Sequence, residues 1–229
     1  VEPLYRYSYY AHHFVYDLKT KSLKALSDTT KSKQRLATFS PEGSRAAFVR
    51  DNNLYVVELA TMKETAITRD GQWNQVLNGI TDWVYEEEFE LVQGYAWSPD
   101  GTKILYLRSD ESAVREFDLT FYKDQLYPSE YRFKYPKAGE VNSTVSLHVF
   151  DISAGSTSSV PLGATEKDFY IPRLGFTPNG AAWFMRMDRL QREKVILTVE
   201  LPPAGTLSPL TAKEIYRETS TTYVDVTND

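Results

Sequence analysis

Short segments of this chain alternate apolar and polar residues, and one such segment recurs along its length. Each copy has mainly apolar residues around a single acidic one: Val15-Tyr16-Asp17-Leu18, Val56-Val57-Glu58-Leu59, Val149-Phe150-Asp151-Ile152 and Thr198-Val199-Glu200-Leu201. The acidic positions lie 41, 93 and 49 residues apart. The middle interval is about two periods, and a weaker copy, Phe117-Asp118-Leu119, lies inside it. Alternation over so few residues predicts β-strands.

A second pattern precedes several of these strands and predicts tight turns. It reads Phe39-Ser40-Pro41-Glu42-Gly43, Trp97-Ser98-Pro99-Asp100-Gly101 and Phe176-Thr177-Pro178-Asn179-Gly180. Ser or Thr, then Pro, then Gly at the fourth position is typical of a type I turn. Several strands in a unit of roughly 40–50 residues indicate a β-propeller. We therefore predict an all-β fold, in which residues 1–229 form a partial propeller domain of about four to five blades.

Two segments interrupt the repeat. Residues 73–93 contain an acidic run, which predicts a short helical insertion. We expect Asp82 to be its N-cap, and Trp83 and Phe89 to pack it against the blades. Residues 120–141 are rich in Tyr, Pro and Lys and predict an extended arm. Long ordered loops of this kind are more often functional than decorative.

Composition excludes several functions. The 229 residues are 41% hydrophobic and carry a net charge of −5, with no basic stripe, so nucleic acid is not an expected partner. The absence of Cys excludes disulfides and thiol chemistry. No apolar run reaches the roughly 18 residues of a membrane span. Val1 enters a strand-like segment at once, so we expect that any targeting segment has been removed.

The chain offers little chemistry of its own. The strand–turn–helix motif Gly-x-Ser-x-Gly is absent. Its histidines, His12, His13 and His148, match neither a metal pair nor a catalytic base, so no metal and no cofactor is expected. Adjacent Glu87 and Glu88 are too close together to straddle a sugar ring. Asn142-Ser143-Thr144 fits a glycosylation acceptor, a motif that is common by chance.

The acidic run allows two interpretations. It reads Asp82-Trp83-Val84-Tyr85-Glu86-Glu87-Glu88-Phe89, with three consecutive carboxylates among large aromatic residues. One interpretation is a solvated helix face whose acidic first turn is favoured by the helix dipole. The other is a partly desolvated site for a primary ammonium group, which offers three N–H donors and one positive charge.

The same run resembles a known family. Asn78-Gly79-Ile80-Thr81-Asp82-Trp83-Val84-Tyr85-Glu86-Glu87-Glu88 is similar to the glutamate motif of the dipeptidyl peptidase IV family, in its bacterial form. Tyr135-Pro136-Lys137-Ala138-Gly139 followed by Val141-Asn142 resembles a second stretch of that family, and the Ser-Pro-Asp-Gly turns agree with its blades. The family often has Pro where this chain has Ser143, which affects local turn geometry only.

The resemblance implies a fold and a substrate. In that family an eight-bladed propeller covers an α/β-hydrolase domain, and the enzyme releases dipeptides from peptides with Pro or Ala in second position. By match, Glu87 and Glu88 would bind the substrate ammonium, and Glu86 would support them. Arg6, which precedes Tyr16-Asp17-Leu18 at the family's spacing, would pair with the glutamates and hold a substrate carbonyl.

The resemblance also sets expectations beyond this chain. The Ser, Asp and His of the hydrolase have no counterpart here, so we do not expect catalysis by this chain alone and expect a C-terminal hydrolase domain as its partner. The arm at residues 120–141 is expected to contact a second subunit in a homodimer. A periplasmic or secreted location is implied. The alternative is a non-catalytic propeller that serves as a binding scaffold, and fold alone does not separate the two.

Overall fold

The computed structural model describes residues 1–122, 125–164, 168–206 and 208–227. Regular structure in this part is almost entirely antiparallel β-strand, with one short helix. Two small sheets come first in the chain. They pair β1 (Glu2–Pro3) with β2 (Tyr9–Tyr10), and β3 (Phe14–Asp17) with β4 (Ser22–Ala25).

Three larger antiparallel sheets follow in chain order. The first is the meander β5 (Arg35–Phe39), β6 (Arg45–Arg50), β7 (Asn53–Glu58) and β8 (Lys63–Ala66). The second region contains β9 (Val76–Asn78), helix α1 (Trp83–Phe89), β10 (Tyr95–Trp97), β11 (Lys103–Asp110), β12 (Glu116–Phe121), β13 (Ser129–Lys134), β14 (Thr144–Asp151) and β15 (Ser156–Ser159). The third is the meander β16 (Phe169–Phe176), β17 (Ala182–Asp188), β18 (Glu193–Val199) and β19 (Ala212–Thr219).

The second sheet is a blade with two insertions. Its main path is β10-β11-β14-β15, and β9 also pairs with β11. Helix α1 is inserted before β10, and the hairpin β12–β13 is inserted between β11 and β14. The long interval between Glu58 and Asp151 is therefore one blade with two insertions. The interpretation of Phe117-Asp118-Leu119 as a weaker blade copy is wrong, because these residues pair only within the inserted hairpin.

The predicted turns join the first two strands of each larger sheet. Each turn is closed by a hydrogen bond from the glycine N–H to the carbonyl oxygen of the Ser or Thr at its first position, at 2.9 Å in all three: Gly43 to Ser40, Gly101 to Ser98 and Gly180 to Thr177. These glycines have φ of 73°, 68° and 90°, a region that disfavours other residues. The Ser or Thr, Pro and Gly residues of these turns therefore determine where the paired strands begin and end.

Successive sheets pack face to face through alternating side chains. On β6, Ala46 and Phe48 face a core shared with the β3–β4 sheet, whereas Ala47 and Val49 face a core shared with the second sheet. On β11, Ile104 and Tyr106 face back toward the first sheet, and Leu105 and Leu107 face the third. A sheet buried on both faces needs this pattern, because successive side chains point to opposite sides of a strand.

The recurring acidic residue has a structural explanation in two of the sheets. Glu58 lies opposite Arg45 in the β6–β7 register, and the two side chains form an ion pair of 3.0 Å. Asp151 lies opposite Lys103 and forms a buried ion pair with it. In the described residues, the three larger sheets, with the β3–β4 sheet packed before them, confirm the prediction of an all-β partial propeller with a short helical insertion. No helix in the described residues is long and apolar enough to cross a membrane.

Candidate functional site

Helix α1 begins where the sequence predicted. The carboxylate of Asp82 accepts a hydrogen bond from the Tyr85 N–H at 3.0 Å, which is the N-cap contact, and a second one from the Ser143 hydroxyl at 2.5 Å. Burial raises the pKa of Asp82, although both hydrogen bonds oppose the rise. The helix ends at Glu90, which adopts the left-handed conformation and donates its N–H to the Tyr85 carbonyl oxygen.

One face of α1 is fixed to the third sheet. Tyr85 and Phe89 lie in the core shared by the second and third sheets, as expected for Phe89. The Tyr85 hydroxyl accepts the Ile171 N–H at 2.9 Å, and an Arg173 guanidinium N–H donates to the Phe89 carbonyl oxygen at 2.8 Å. Trp83 packs instead beside the inserted hairpin, with its ring 4.2 Å from that of Tyr135 between centroids. The helix is thus held between a blade and an insertion.

The three consecutive glutamates lie in three different environments. Successive residues of an α-helix point about 100° apart, so Glu86, Glu87 and Glu88 face three directions. Glu86 is fully buried, at 0% exposure. The side chain of Glu87 is 16% exposed, and Glu88 is exposed. The interpretation as a uniformly solvated helix face therefore does not describe this run.

Arg6 and Glu87 meet although they are 81 positions apart in the sequence. The Arg6 Nε donates to Glu87 Oε2 at 2.8 Å. The Arg6 side chain is 64% exposed. The hydrogen bond and the charge of Glu87 raise the pKa of Arg6. The structure therefore brings together Arg6 and Glu87.

Glu86 accepts hydrogen bonds from the backbone immediately after Arg6. Its Oε1 accepts the N–H of Tyr7 at 2.7 Å and the N–H of Ser8 at 2.9 Å. Its Oε2 is buried and has no hydrogen-bond partner among the described residues. The nearby buried cation is Arg35, whose pKa is lowered by burial while Tyr10 and Glu86 act in the opposite direction. Sequence reasoning missed Arg35 entirely.

Glu88 lies at an open cleft beside the helix. The cleft has a volume of about 730 Å³, and its walls include Trp83, Tyr135, Lys137 and Tyr170. Within the ranges that the structure describes, the Glu88 carboxylate forms no ion pair and no hydrogen bond. Its carboxylate is therefore accessible to a cation from solution.

The second stretch that resembles the family, which ends at Asn142, lies next to residues that hold helix α1 in place. The Asn142 amide donates to the Tyr170 hydroxyl at 2.8 Å, and the Ser143 hydroxyl contacts the Asp82 cap. Ser143 is buried. The interpretation of Asn142-Ser143-Thr144 as a glycosylation acceptor does not fit, because the half-buried Asn142 amide already donates to Tyr170. Neither contact could be predicted from the sequence, since each joins residues that are far apart in the chain.

His148 is a partly buried residue of the second sheet. His148 lies within β14, stacks on Tyr106 at 5.3 Å between centroids and is within hydrogen-bond distance of the Ser146 hydroxyl. Burial lowers its pKa. In the part of the chain that the structure describes, no three His, Cys, Asp or Glu residues are grouped so that they could hold a metal ion. What the site offers is charge and hydrogen bonding: two carboxylates, Glu87 and Glu88, and one guanidinium.

Comparison with known proteins identifies the family of this chain. A family model described as the dipeptidyl peptidase IV N-terminal region matches residues 1–229. A probable dipeptidyl-aminopeptidase B of Trichophyton verrucosum is 40% identical over 177 residues, which are 72% of this chain and 20% of that protein. A dipeptidyl peptidase 4 of Trichophyton equinum is 34% identical over 202 residues, 84% of this chain and 26% of that protein.

A solved structure has the same fold. The crystal structure of Porphyromonas gingivalis dipeptidyl peptidase 4 superposes with a TM-score of 0.89 at 43% sequence identity, and the match covers 98% of this chain and 31% of that one. The chain thus spans about a fifth to a third of the length of these relatives. On the strength of the match over its whole length, this chain belongs to the dipeptidyl peptidase IV family, whose N-terminal region it corresponds to.

Proposed function

We propose that this chain is the non-catalytic propeller part of a serine-type dipeptidyl peptidase and that it binds the free amino terminus of the peptide substrate. Glu87 and Glu88 bind the ammonium group, and Arg6 orients Glu87 and contacts a substrate carbonyl. The observation that carries the proposal is the ion pair of Arg6 with Glu87 next to the exposed, unpaired Glu88.

The charges at the surface of the site favour a monovalent cation. Glu87 is paired with Arg6, whereas Glu88 has no ion-pair partner among the described residues, because Lys137 in the wall of the same cleft lies over the Phe117 ring instead. A peptide ammonium group supplies the missing positive charge and three N–H donors. Charge-assisted hydrogen bonds of this type are roughly twice as strong as neutral ones.

The same arrangement accounts for dipeptide release. When the substrate amine is held by a rigid helix, the peptide bond to be cleaved lies at a fixed distance from that helix. A hydrolase domain that faces the propeller then meets the same bond in every substrate. A longer N-terminal extension cannot place its amine at Glu87 and Glu88. The substrates that the family resemblance suggests are peptides with Pro or Ala in second position.

The test uses the full-length gene product and substitutes each carboxylate. Glu87→Ala and Glu88→Ala are each expected to lower kcat/KM for a dipeptide substrate by about 30-fold to several thousand-fold, which corresponds to roughly 2–5 kcal/mol. The matched control is Glu214→Ala, because Glu214 is an exposed glutamate of β19 that is also paired with an arginine, Arg217. Wild-type kcat/KM in both site variants would refute the proposal.

The scaffold alternative is tested by the gene downstream of residue 229. A Gly-x-Ser-x-Gly motif, followed by Asp and then His, supports the peptidase. A stop codon or an unrelated domain supports a binding scaffold, and the ligand of Glu87 and Glu88 would then have to be sought elsewhere.

We also propose that the arm at residues 120–141 contributes to a homodimer. The loop between β12 and β13 exposes large apolar side chains: Tyr122 at 84%, Leu126 at 90% and Tyr127 at 77%. Isolated exposed apolar residues are common, but a cluster at the end of a hairpin is typical of an interaction surface.

Sedimentation of the full-length protein is expected to show a dimer. The double variant Tyr122→Asp with Tyr127→Asp is expected to be a monomer. Dimers that persist in the double variant would exclude this surface.

A further inference from the structure

The turn that carries Arg6 is anchored by Tyr5, whose ring lies 5.9 Å from that of Phe133 between centroids, and by buried Ser8, but its tip is exposed. Arg6 and Tyr7 are exposed, and the segment contains no regular structure between β1 and β2. One backbone hydrogen bond crosses it, from the Leu4 N–H to the Ser8 carbonyl oxygen at 2.9 Å. A surface arginine on such a turn would sample many positions, because its side chain has several rotatable bonds. Something must fix the turn if Arg6 is to meet Glu87 consistently.

Glu86 supplies that attachment. Its buried carboxylate receives two N–H groups from consecutive residues, Tyr7 and Ser8, immediately after Arg6. A carboxylate that accepts two backbone N–H groups makes charge-assisted bonds, which are stronger than bonds between neutral groups. Ser8 is itself buried, so its N–H would otherwise lack an acceptor.

The two contacts come from one rigid element. Glu86 holds the backbone beside Arg6, and Glu87, the next residue of the same helix, accepts from the Arg6 side chain. Because both acceptors lie on α1, the position of the arginine relative to Glu87 is fixed by the helix rather than by the loop.

We propose that Glu86 is a positioning residue that acts on the substrate site through Arg6, by holding the Tyr7 and Ser8 N–H groups. The inference rests on the proposed function, because it assigns Glu86 a part in the binding of the substrate amine. Glu86 itself is buried and does not touch the substrate. The three glutamates of the motif then differ in their tasks: Glu86 holds the arginine's turn, Glu87 pairs with the arginine and binds the ammonium group, and Glu88 binds the ammonium group without pairing with the arginine.

The test is a double-mutant cycle in the full-length gene product. Glu86→Gln keeps one acceptor oxygen but removes the charge, and Glu86→Leu removes both. In the wild-type background we expect KM for a dipeptide p-nitroanilide to rise about threefold to tenfold in Glu86→Gln, more in Glu86→Leu, with kcat little changed. In the Arg6→Ala background, which itself raises KM, neither substitution is expected to raise KM further, because the effect passes through Arg6.

A buried carboxylate elsewhere provides the control. Asp151 also accepts backbone N–H groups, from Ala154 at 2.8 Å and Gly205 at 2.9 Å, but lies away from α1. Asp151→Asn is expected to lower stability without changing KM. Hydrogen exchange in the segment of Tyr7 and Ser8 gives a second measurement: it should quicken in Glu86→Gln and remain as in the wild type in Asp151→Asn.

The possible outcomes separate the two proposals. If Arg6→Ala raises KM but Glu86→Gln does not, or if the two effects on KM are independent, the positioning role of Glu86 is wrong while the proposed function stands. If Arg6→Ala leaves KM unchanged, or if the full-length protein releases no dipeptides, the proposed function fails and the role of Glu86 in it fails as well.

Discussion

Glu111 is a buried acid whose ionisation should weaken the fold as the pH rises. It follows β11, is 5% exposed, and lies near Asp82, the N-cap of α1. Burial raises its pKa to about 8, and the negative charges of Asp82 and Asp110 act in the same direction, whereas Lys134 opposes them. The group is therefore protonated at neutral pH in the folded chain.

The sign of the effect follows from proton binding. In the unfolded chain Glu111 loses its proton near its ordinary pKa of 4.5, but in the folded chain it retains the proton up to about pH 8. Between these values the folded state holds more protons, so the free energy of unfolding falls as the pH rises. At about 1.4 kcal/mol for each pKa unit, the largest loss is roughly 5 kcal/mol, reached above pH 8.

The perturbation is Glu111→Gln, which imitates the neutral acid at every pH. We expect the variant to match the wild type near pH 4.5 and to be more stable by roughly 3–5 kcal/mol at pH 9. Urea unfolding followed by intrinsic fluorescence between pH 4.5 and 9 measures the difference. Glu130→Gln, at an exposed glutamate of β13, is the control. Equal stability of Glu111→Gln and wild type at pH 9 would refute the reasoning.

Three further predictions concern packing and the exposed ion pair. Tyr85→Phe removes the acceptor of the buried Ile171 N–H and should cost about 1–3 kcal/mol, visible as a lower Tm. Lys103→Met leaves the Asp151 carboxylate buried without its cation and should cost roughly 3–5 kcal/mol in urea unfolding. Arg6→Ala should leave the unfolding midpoint unchanged, because exposed pairs contribute little to stability; a large drop would show that the pair is structural.

The fold was largely predictable because its signals are local. The turns at Ser40, Ser98 and Thr177 are set by Pro and Gly within five residues, and the strands that follow them alternate as expected. The failure at Phe117-Asp118-Leu119 has the opposite cause. A short strand pattern does not reveal its partner, and this one pairs within an inserted hairpin rather than in a blade.

The site was predictable only in part. The cap of α1 by Asp82 could be expected from the residue types, whereas the contact of Arg6 with Glu87 was expected from the family resemblance and not from any local pattern. The burial of Glu86 could not be foreseen, because acidic residues are seldom fully buried and its acceptor role depends on backbone N–H groups at Tyr7 and Ser8.

Some expectations stay predictions. The periplasmic or secreted location, the treatment of residues 1–229 as one domain, and the homodimer all await experiment. Cellular fractionation, limited proteolysis and sedimentation address them in turn.

The most direct test of the central claim compares two substrates that differ only at the amino terminus. The full-length gene product is assayed with a Gly-Pro anilide and with its N-acetylated form, which carries no ammonium group. We predict that the wild type prefers the free amine by at least about a hundredfold in kcat/KM and that Glu88→Gln loses most of this preference. Equal cleavage of both substrates, or an unchanged preference in Glu88→Gln, would contradict the account.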